Sequence, residues 1–527
     1  MLRVSRSFSA SVFEESCIPD APKLGVAISG GSFRSFLNAA GILDAMDKRS
    51  PEAMDAGTGG LLQSLSYIAG ESGGAWLLGS WFSQGLPQFR DMLHNIRLNE
   101  SLVFPGGTED LPFFGEVVQK TMEDAVQKRS NGFNVSLADM YAGLISQHML
   151  PAPSQVPYDT EKTGLTLSSL AQVPSVKNFS APLPLMISLQ KDSGTLNKGD
   201  TCPPANIWEW GIFESGTFGS NLTSFVHSGQ VGSSGNTCVE GGDSLSWILA
   251  TATAAFTSAS PKDTLEETLE ECMHSGNLLH STICHLAAHI LDLDERSDRT
   301  HLTTPAQLPS SFSEDELYFT DVGPCEQIPL FSLLQKGREL DVIFALDATE
   351  GNTSWPTGLA LSISASHARH VGLRVPDTPT LKQFAGDKNL TTRATFFGCH
   401  DVDMPAIVYI PNHEVSFPSN ASFGKLQWTP EEQEAMLRNG FDQLTEDDLP
   451  ECLSCLLTSR QKDNCGIVSK AENFWPREKV PQCERCFQKY CWIPDEGHNA
   501  DSWESASNRV DEINTANFEG MLRSLFD

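Results

Sequence analysis

Apolar runs bounded by turn residues recur along the chain. Leu24–Ile28 (LGVAI) lacks any polar alternation and runs straight into Ser-Gly-Gly. A strand with one wet face alternates; a short unbroken apolar run reads as a strand buried on both faces. Residues 37–46 then follow the helical period. The same order returns at Leu65–Ala69 (LSYIA), a second strand, followed by a helix over Trp76–Phe82. Leu183–Leu189, Leu317–Thr320, Val342–Leu346 and Ala406–Ile410 are further strands. Buried strands alternating with helices predict an α/β fold, a central and mainly parallel sheet flanked by helices. The Pro-, Ser- and Thr-rich stretch from Pro151 to Pro184 reads as a loop or insertion. The acidic stretch Glu431–Asp448 reads as a solvated helical face leading into a Cys-rich end. The organisation expected is an N-terminal segment (1–22), a catalytic-size α/β domain (23–430) and an acidic, Cys-rich extension packed on it (431–527). No internal repeat is visible.

Composition narrows the function classes. The formal charge of −31 disfavours a nucleic-acid partner and electrostatic docking on anionic lipid, and leaves zwitterionic surfaces open. Hydrophobic residues at 40% suffice for a large core. No stretch reaches the roughly 18 apolar residues of a membrane span. Residues 1–16 carry Arg and Ser without the apolar core of a signal peptide. Seven glycosylation sequons, at Asn99, Asn134, Asn178, Asn221, Asn352, Asn389 and Asn420, argue for the secretory route or cell surface instead. So does the late cysteine cluster Cys452, Cys455, Cys465, Cys483, Cys486 and Cys491, read as a disulfide framework. Its two C-x-x-C pairs leave a zinc site as the alternative. The 13 cysteines are odd in number, so one thiol stays over or pairs outside the chain.

Two loops carry candidate chemistry. Gly70-Glu71-Ser72-Gly73-Gly74 fits G-x-S-x-G between a strand and a helix. That context gives a sharp turn from which a serine projects as a nucleophile, with small residues allowing close packing around it. The bland reading is a Gly-rich helix cap. Ser29-Gly30-Gly31-Ser32-Phe33-Arg34 is also a strand-to-helix loop. Successive N–H groups at a helix N-terminus form a nest for negative charge, which an acyl-transfer intermediate requires. The bland reading is a tight turn, with Arg34 on a solvated face.

Together these loops resemble the phospholipase B / lysophospholipase family of fungal type, related to the catalytic domain of cytosolic phospholipase A2. The resemblance runs through LGVAISGGSFRSFLNAAGILDAMD, IAGESGGAWLLGSW, CVEGGDSLSWILATATAAF, LYFTDVGPCEQIPLFSLLQKGRELDVIFALD and CERCFQKYCW, in order. It implies a patatin-like or cytosolic phospholipase A2-like sheet and hydrolysis of fatty-acyl esters of lysophospholipids and phospholipids. It further implies a Ser–Asp dyad of Ser72 and Asp321 without histidine, and an oxyanion hole at Gly30, Gly31 and Ser32. Arg34 stands where the family places an arginine for the substrate phosphate. No cofactor and no metal is expected; the partners implied are the lipids, met by peripheral contact with membranes or micelles. An ordinary Asp is a weak base, so burial against Val322 and Pro324 would have to raise its pKa. Two positions depart from the family pattern: Ser32 replaces a third glycine, and Val322 stands where a glycine usually follows the aspartate. Either side chain would be strained at positive φ, which opens the reading of a catalytically weakened lipid-binding relative. The start of the chain is also short for the family.

The rival enzyme is an α/β-hydrolase with a Ser-His-Asp triad, for which His367, His370, His400, His413 and His498 are the later histidines. His285 and His289, four apart, read as an ordinary pair rather than a zinc site. Trp208, Trp210 and Phe213 read as core, with an acyl pocket or membrane-facing lip as the alternative.

Overall fold

The computed structural model describes residues 21–102, 111–130, 135, 137–151, 165–191, 207–218, 223–231, 241–253, 300–303, 316–351, 354–460, 481–503 and 505–506. Its strands are β1 (Leu24–Ile28), β2 (Leu65–Glu71), β3 (Leu183–Lys191), β4 (Ile207–Gly211), β5 (Glu214–Phe218), β6 (Thr223–His227), β7 (Thr300–Thr303), β8 (Glu316–Thr320), β9 (Val342–Asp347), β10 (Thr395–Phe397) and β11 (Ala406–Pro411). They form one sheet in the order β10-β11-β9-β1-β2-β3-β4-β5-β6, with β8 joined to β3 and β7 to β8. The five central strands, β11-β9-β1-β2-β3, are parallel. Antiparallel strands extend the sheet on both sides.

Alternate residues of each central strand enter different cores. Val26, Ile28, Ile68, Met186, Phe344 and Val408 face one layer. Ala27, Ala69, Ile187, Ile343, Ala345 and Ile407 face the other. That is why these strands show no polar alternation in the sequence. The first layer holds the helices Ser32–Met46, Gly73–Ser83 and Pro430–Thr445; the second holds Leu359–His370.

Several sequence expectations change in detail. Of the stretch from Pro151 to Pro184, residues 152–164 lie outside the described residues; in the remainder Ser168–Gln172 and Pro174–Lys177 are single helical turns, and Leu183 and Pro184 already belong to β3. The acidic helix Pro430–Thr445 is solvated on one face alone. Its other face buries Met436, Leu437, Asn439, Gly440, Phe441 and Gln443 against the helix Ser32–Met46. Polar residues on that buried face hid it from a hydrophobic reading. Asn38 donates to Asn412 Oδ1 (3.1 Å) and to Gln443 Oε1 (2.8 Å), and Asn439 Oδ1 accepts the N–H groups of Val415, Ser416 and Phe417. Such a network replaces the lost hydration of each group.

The zinc alternative is overturned. Cys452 pairs with Cys486 and Cys455 with Cys483, so each C-x-x-C pair presents both sulfurs from one helix face to the facing helix. Cys399 pairs with Cys491, and Cys325, close after Asp321, is also disulfide-bonded. Cys465, His285 and His289 lie outside the described residues. Trp208 and Trp210 are fully buried and pack edge-on against Phe319, with Trp247 against Trp210; they are core. Phe213 stands apart, 46% exposed.

Candidate active site

The carboxyl ends of the parallel strands gather the candidate residues, where ligands bind in open α/β sheets. β1 opens into Ser29–Ser32, and β2 ends at Glu71, one residue before Ser72. Register explains how Asp321 arrives there. Leu189 pairs with Ile207 of β4 and also with Thr320 of β8, so β8 lies on the opposite edge of β3, the edge that β2 occupies. β2 pairs with β3 only as far as Glu71 opposite Ile187. β8 runs toward it from the other direction and ends at Thr320. The two strand ends meet, and Ser72 and Asp321 follow them.

Ser72 has φ 47° and ψ −119°, a strained conformation at the strand-to-helix turn. Glycines allow the turn to close. A Cβ on Gly73 would collide with the carbonyl of Ser32, and a Cβ on Gly74 would stand 2.7 Å from the carbonyl of Ile28. The Ser72 loop and the Ser29–Ser32 loop are thus in backbone contact. Ser72 and Gly31 keep partial exposure while their surroundings are buried.

Asp321 is buried (7% exposed), as are Val322 and Pro324 beside it. Burial raises its carboxyl from 3.8 to about 6, opposed by the hydrogen bond from the Gly323 N–H and by the nearby Ser72 side chain. The Gly323 bond measures 2.8 Å. The Ser72 hydroxyl therefore lies near a carboxyl whose basicity is closer to neutrality than that of an ordinary Asp. Val322 is not among the residues with positive φ, so the strain expected there is absent.

The loop Ser29–Ser32 is pinned from three sides. Ser29 N–H donates to Leu346 O (3.0 Å), Ser29 Oγ accepts the Ala348 N–H (2.9 Å), and Ser35 Oγ donates to Ser29 O (2.6 Å). Gly31 has φ 125°, and a Cβ there would stand 2.7 Å from Ala348 O. Ser32 has φ 56°, the strain expected for a side chain in a glycine position. Its N–H and those of Gly31 and Gly73 have no partner among the described residues. Gly30 departs from the expectation that it joins them. Its N–H is already held by Glu71 Oε1 at 3.1 Å, with Gln327 O at 3.4 Å.

Arg34 is not on a solvated face. It is fully buried, and its Nη1 donates to Ser354 O (2.8 Å) and Ala421 O (3.1 Å). Nε and Nη2 have no partner among the described residues. Burial lowers its pKa to about 10, against Glu350 and Asp347, so it remains a cation at neutral pH.

Each later histidine is engaged elsewhere. His367 stacks on Phe331 and lies against Trp503, His370 lies near Trp503, and His400 near Phe487. His413 bonds Pro411 O and Glu446, and His498 bonds Thr378 O. Sequence reasoning passed over two buried carboxyls, Glu71 and Glu326. The signal for Glu71 was available: an acid at the end of an apolar strand, next to the serine.

A family model described as the lysophospholipase catalytic domain matches residues 24–496. A lysophospholipase of Kluyveromyces lactis is 31% identical over 526 residues, covering 90% of this chain and 76% of that protein. A phospholipase B of Cryptococcus neoformans var. neoformans is 31% identical over 514 residues, covering 91% and 75%. Among solved structures, human GIVD cytosolic phospholipase A2 superposes with a TM-score of 0.62 at 15% identity, covering 83% of this chain and 62% of that one. At that identity the likeness shows the fold alone.

Proposed function

The chain belongs to the lysophospholipase catalytic-domain family, and from that premise we propose how it acts as a lysophospholipase and phospholipase B: through acyl transfer to Ser72, with Asp321 as its base. The observation that carries this reading is the serine in a strained turn beside a buried carboxyl whose raised pKa the Ser72 side chain tempers. Ser72 Oγ attacks the ester carbonyl as Asp321 takes its proton. The tetrahedral oxyanion lies toward the N–H groups of Gly31 and Ser32, with that of Gly73 at the adjoining helix N-terminus. Collapse expels the glycerol oxygen, which receives the proton from Asp321. Water, deprotonated by the same carboxylate, then releases the fatty acid from acyl-Ser72.

Arg34 supplies fixed positive charge behind the loop. Direct contact with a substrate phosphate would require its two unpartnered donors to be uncovered, so its first role here is structural: it ties the helix after the oxyanion loop to Ser354 and Ala421. The enzyme meets lipid at a zwitterionic interface and works outside the cytosol, a reading supported by the disulfides and by the exposed sequon residues Asn99, Asn178 and Asn389. No helix among the described residues is long and apolar enough to cross a membrane.

Fatty-acid release from lysophosphatidylcholine micelles tests the assignment. The native chain is expected to turn over, while Ser72→Ala and Asp321→Asn lose at least about 10³-fold in kcat and keep their fold. A folded native chain that releases nothing would leave a lipid binder without turnover.

A further inference from the structure

The hydrolytic scheme leaves one carboxyl at the reaction centre without a role. Glu71 ends strand β2, precedes the nucleophile, and is 1% exposed. Its Oε1 accepts the N–H of Gly30, and its Oε2 is enclosed without a partner among the described residues. A Cβ built on Gly30 would stand 3.2 Å from Glu71 Oε1 and 3.3 Å from Ser72 Cβ. The carboxyl and the nucleophile therefore press on the same point of the oxyanion loop. The ionisable groups that act most on Glu71 are acidic: Asp321, Glu326 and Asp347. An ionised carboxylate in that company, with one oxygen unpaired, is strongly disfavoured.

We propose that Glu71 is a positioning residue of the hydrolytic site: it holds the Gly30 N–H and so fixes the loop Ser29–Ser32, leaving the N–H groups of Gly31 and Ser32 to receive the oxyanion. This rests on the assignment of Ser72 as nucleophile. Gly30 is then a hinge pin rather than an oxyanion donor. A neutral acid suits the task, because its carbonyl oxygen accepts an N–H without adding charge. Burial and the acidic neighbours push Glu71 well above the ordinary carboxyl range, which favours its neutral form. Ionisation at higher pH sets a negative charge beside the developing oxyanion, and the rate falls. The acid limb of the profile belongs to Asp321, and the part of the alkaline fall that Glu71→Gln abolishes belongs to Glu71 rather than to Glu326, which burial raises to about 8.

The test is steady-state hydrolysis of lysophosphatidylcholine micelles from about pH 5 to about pH 10. The proteins are the native chain, Glu71→Gln, Glu71→Leu and Ser72→Ala, with a melting curve for each. Gln keeps an acceptor oxygen and does not ionise. Its kcat is expected within about threefold of native at neutral pH, with the acid limb unmoved and the alkaline fall gone. Leu keeps bulk without an acceptor, and kcat is expected to drop about tenfold or more at unchanged KM. A Gln variant as damaged as the Leu variant overturns the proposal. So does a Gln variant that keeps the alkaline fall, a native profile without one, or a folded Leu variant with native kcat. If the Leu variant does not fold, the kcat and pH profile of the Gln variant decide. Undiminished turnover by Ser72→Ala would instead remove the nucleophile assignment itself.

Discussion

At the scale of single residues, the site is built from conformations and charges that cost stability. Ser32 holds φ 56° and buries a hydroxyl without a partner among the described residues. Ser32→Gly removes both penalties and is expected to stabilise the chain by about 1 kcal/mol, read from denaturant unfolding. Asp321 gives a sign that can be checked. Its carboxyl titrates near 6 in the folded chain against 3.8 ordinarily, so the fold holds that proton to higher pH than the unfolded chain does. The stability this brings is full below about pH 4 and is lost as pH rises through about 6. Asp321→Asn, which has no proton to lose, is therefore expected to be inactive yet more stable than native at about pH 8. The gain is at most about 3 kcal/mol and vanishes near pH 4. Ser72 and the glycines around it were legible because G-x-S-x-G names a backbone shape. The partner Asp321 rested on resemblance alone, because nothing in the spacing of two residues so far apart says that they meet.

At the scale of elements, the strands of the parallel centre were readable because burial on both faces leaves unbroken apolar runs. Their ends were not: β2 continues through Gly70 to Glu71, and the helix after it begins at Gly73, because the glycines that look like punctuation are packed backbone. The antiparallel arm β4–β6 went unread. Trp208-Glu209-Trp210 alternates over too short a stretch, and Glu209 faces Arg338 in a buried ion pair rather than solvent. Close backbone approach is the property to test here. A Cβ on Gly73 would meet the carbonyl of Ser32, so Gly73→Ala is expected to push the two loops apart and lower kcat by about 10²-fold. At the helix crossing, a Cβ on Gly440 would meet Asn38 O. Gly440→Ala is therefore expected to cost about 1–3 kcal/mol in thermal or denaturant unfolding while leaving KM unchanged.

At the scale of the whole molecule, one sheet and its disulfides hold distant segments in register. The family and the layered architecture could be read from motif order, because two strand–loop–helix units carry recognisable motifs. The cysteine pairing could not, since many connectivities satisfy the same count. Cys399–Cys491 ties the C-terminal segment to the sheet edge, where Cys491 also bridges to Phe396. It closes a long loop of 92 residues, shortened by the Cys452–Cys486 link. Replacing both Cys399 and Cys491 by Ser is expected to cost about 4 kcal/mol, measured by denaturant unfolding. The net charge of −31 sets a further expectation: hydrolysis in anionic vesicles is slower than in phosphatidylcholine at low salt, and added salt narrows the gap. The central claim is that Ser72, activated by Asp321, is the group that carries the acyl chain. Its most direct test is reaction of the native chain with an alkyl fluorophosphonate, followed by mass mapping of the labelled peptide. The account predicts one stoichiometric adduct on Ser72, and labelling slowed at least about 10²-fold in Asp321→Asn. An adduct on another residue, or a folded chain that takes up no label, would contradict it.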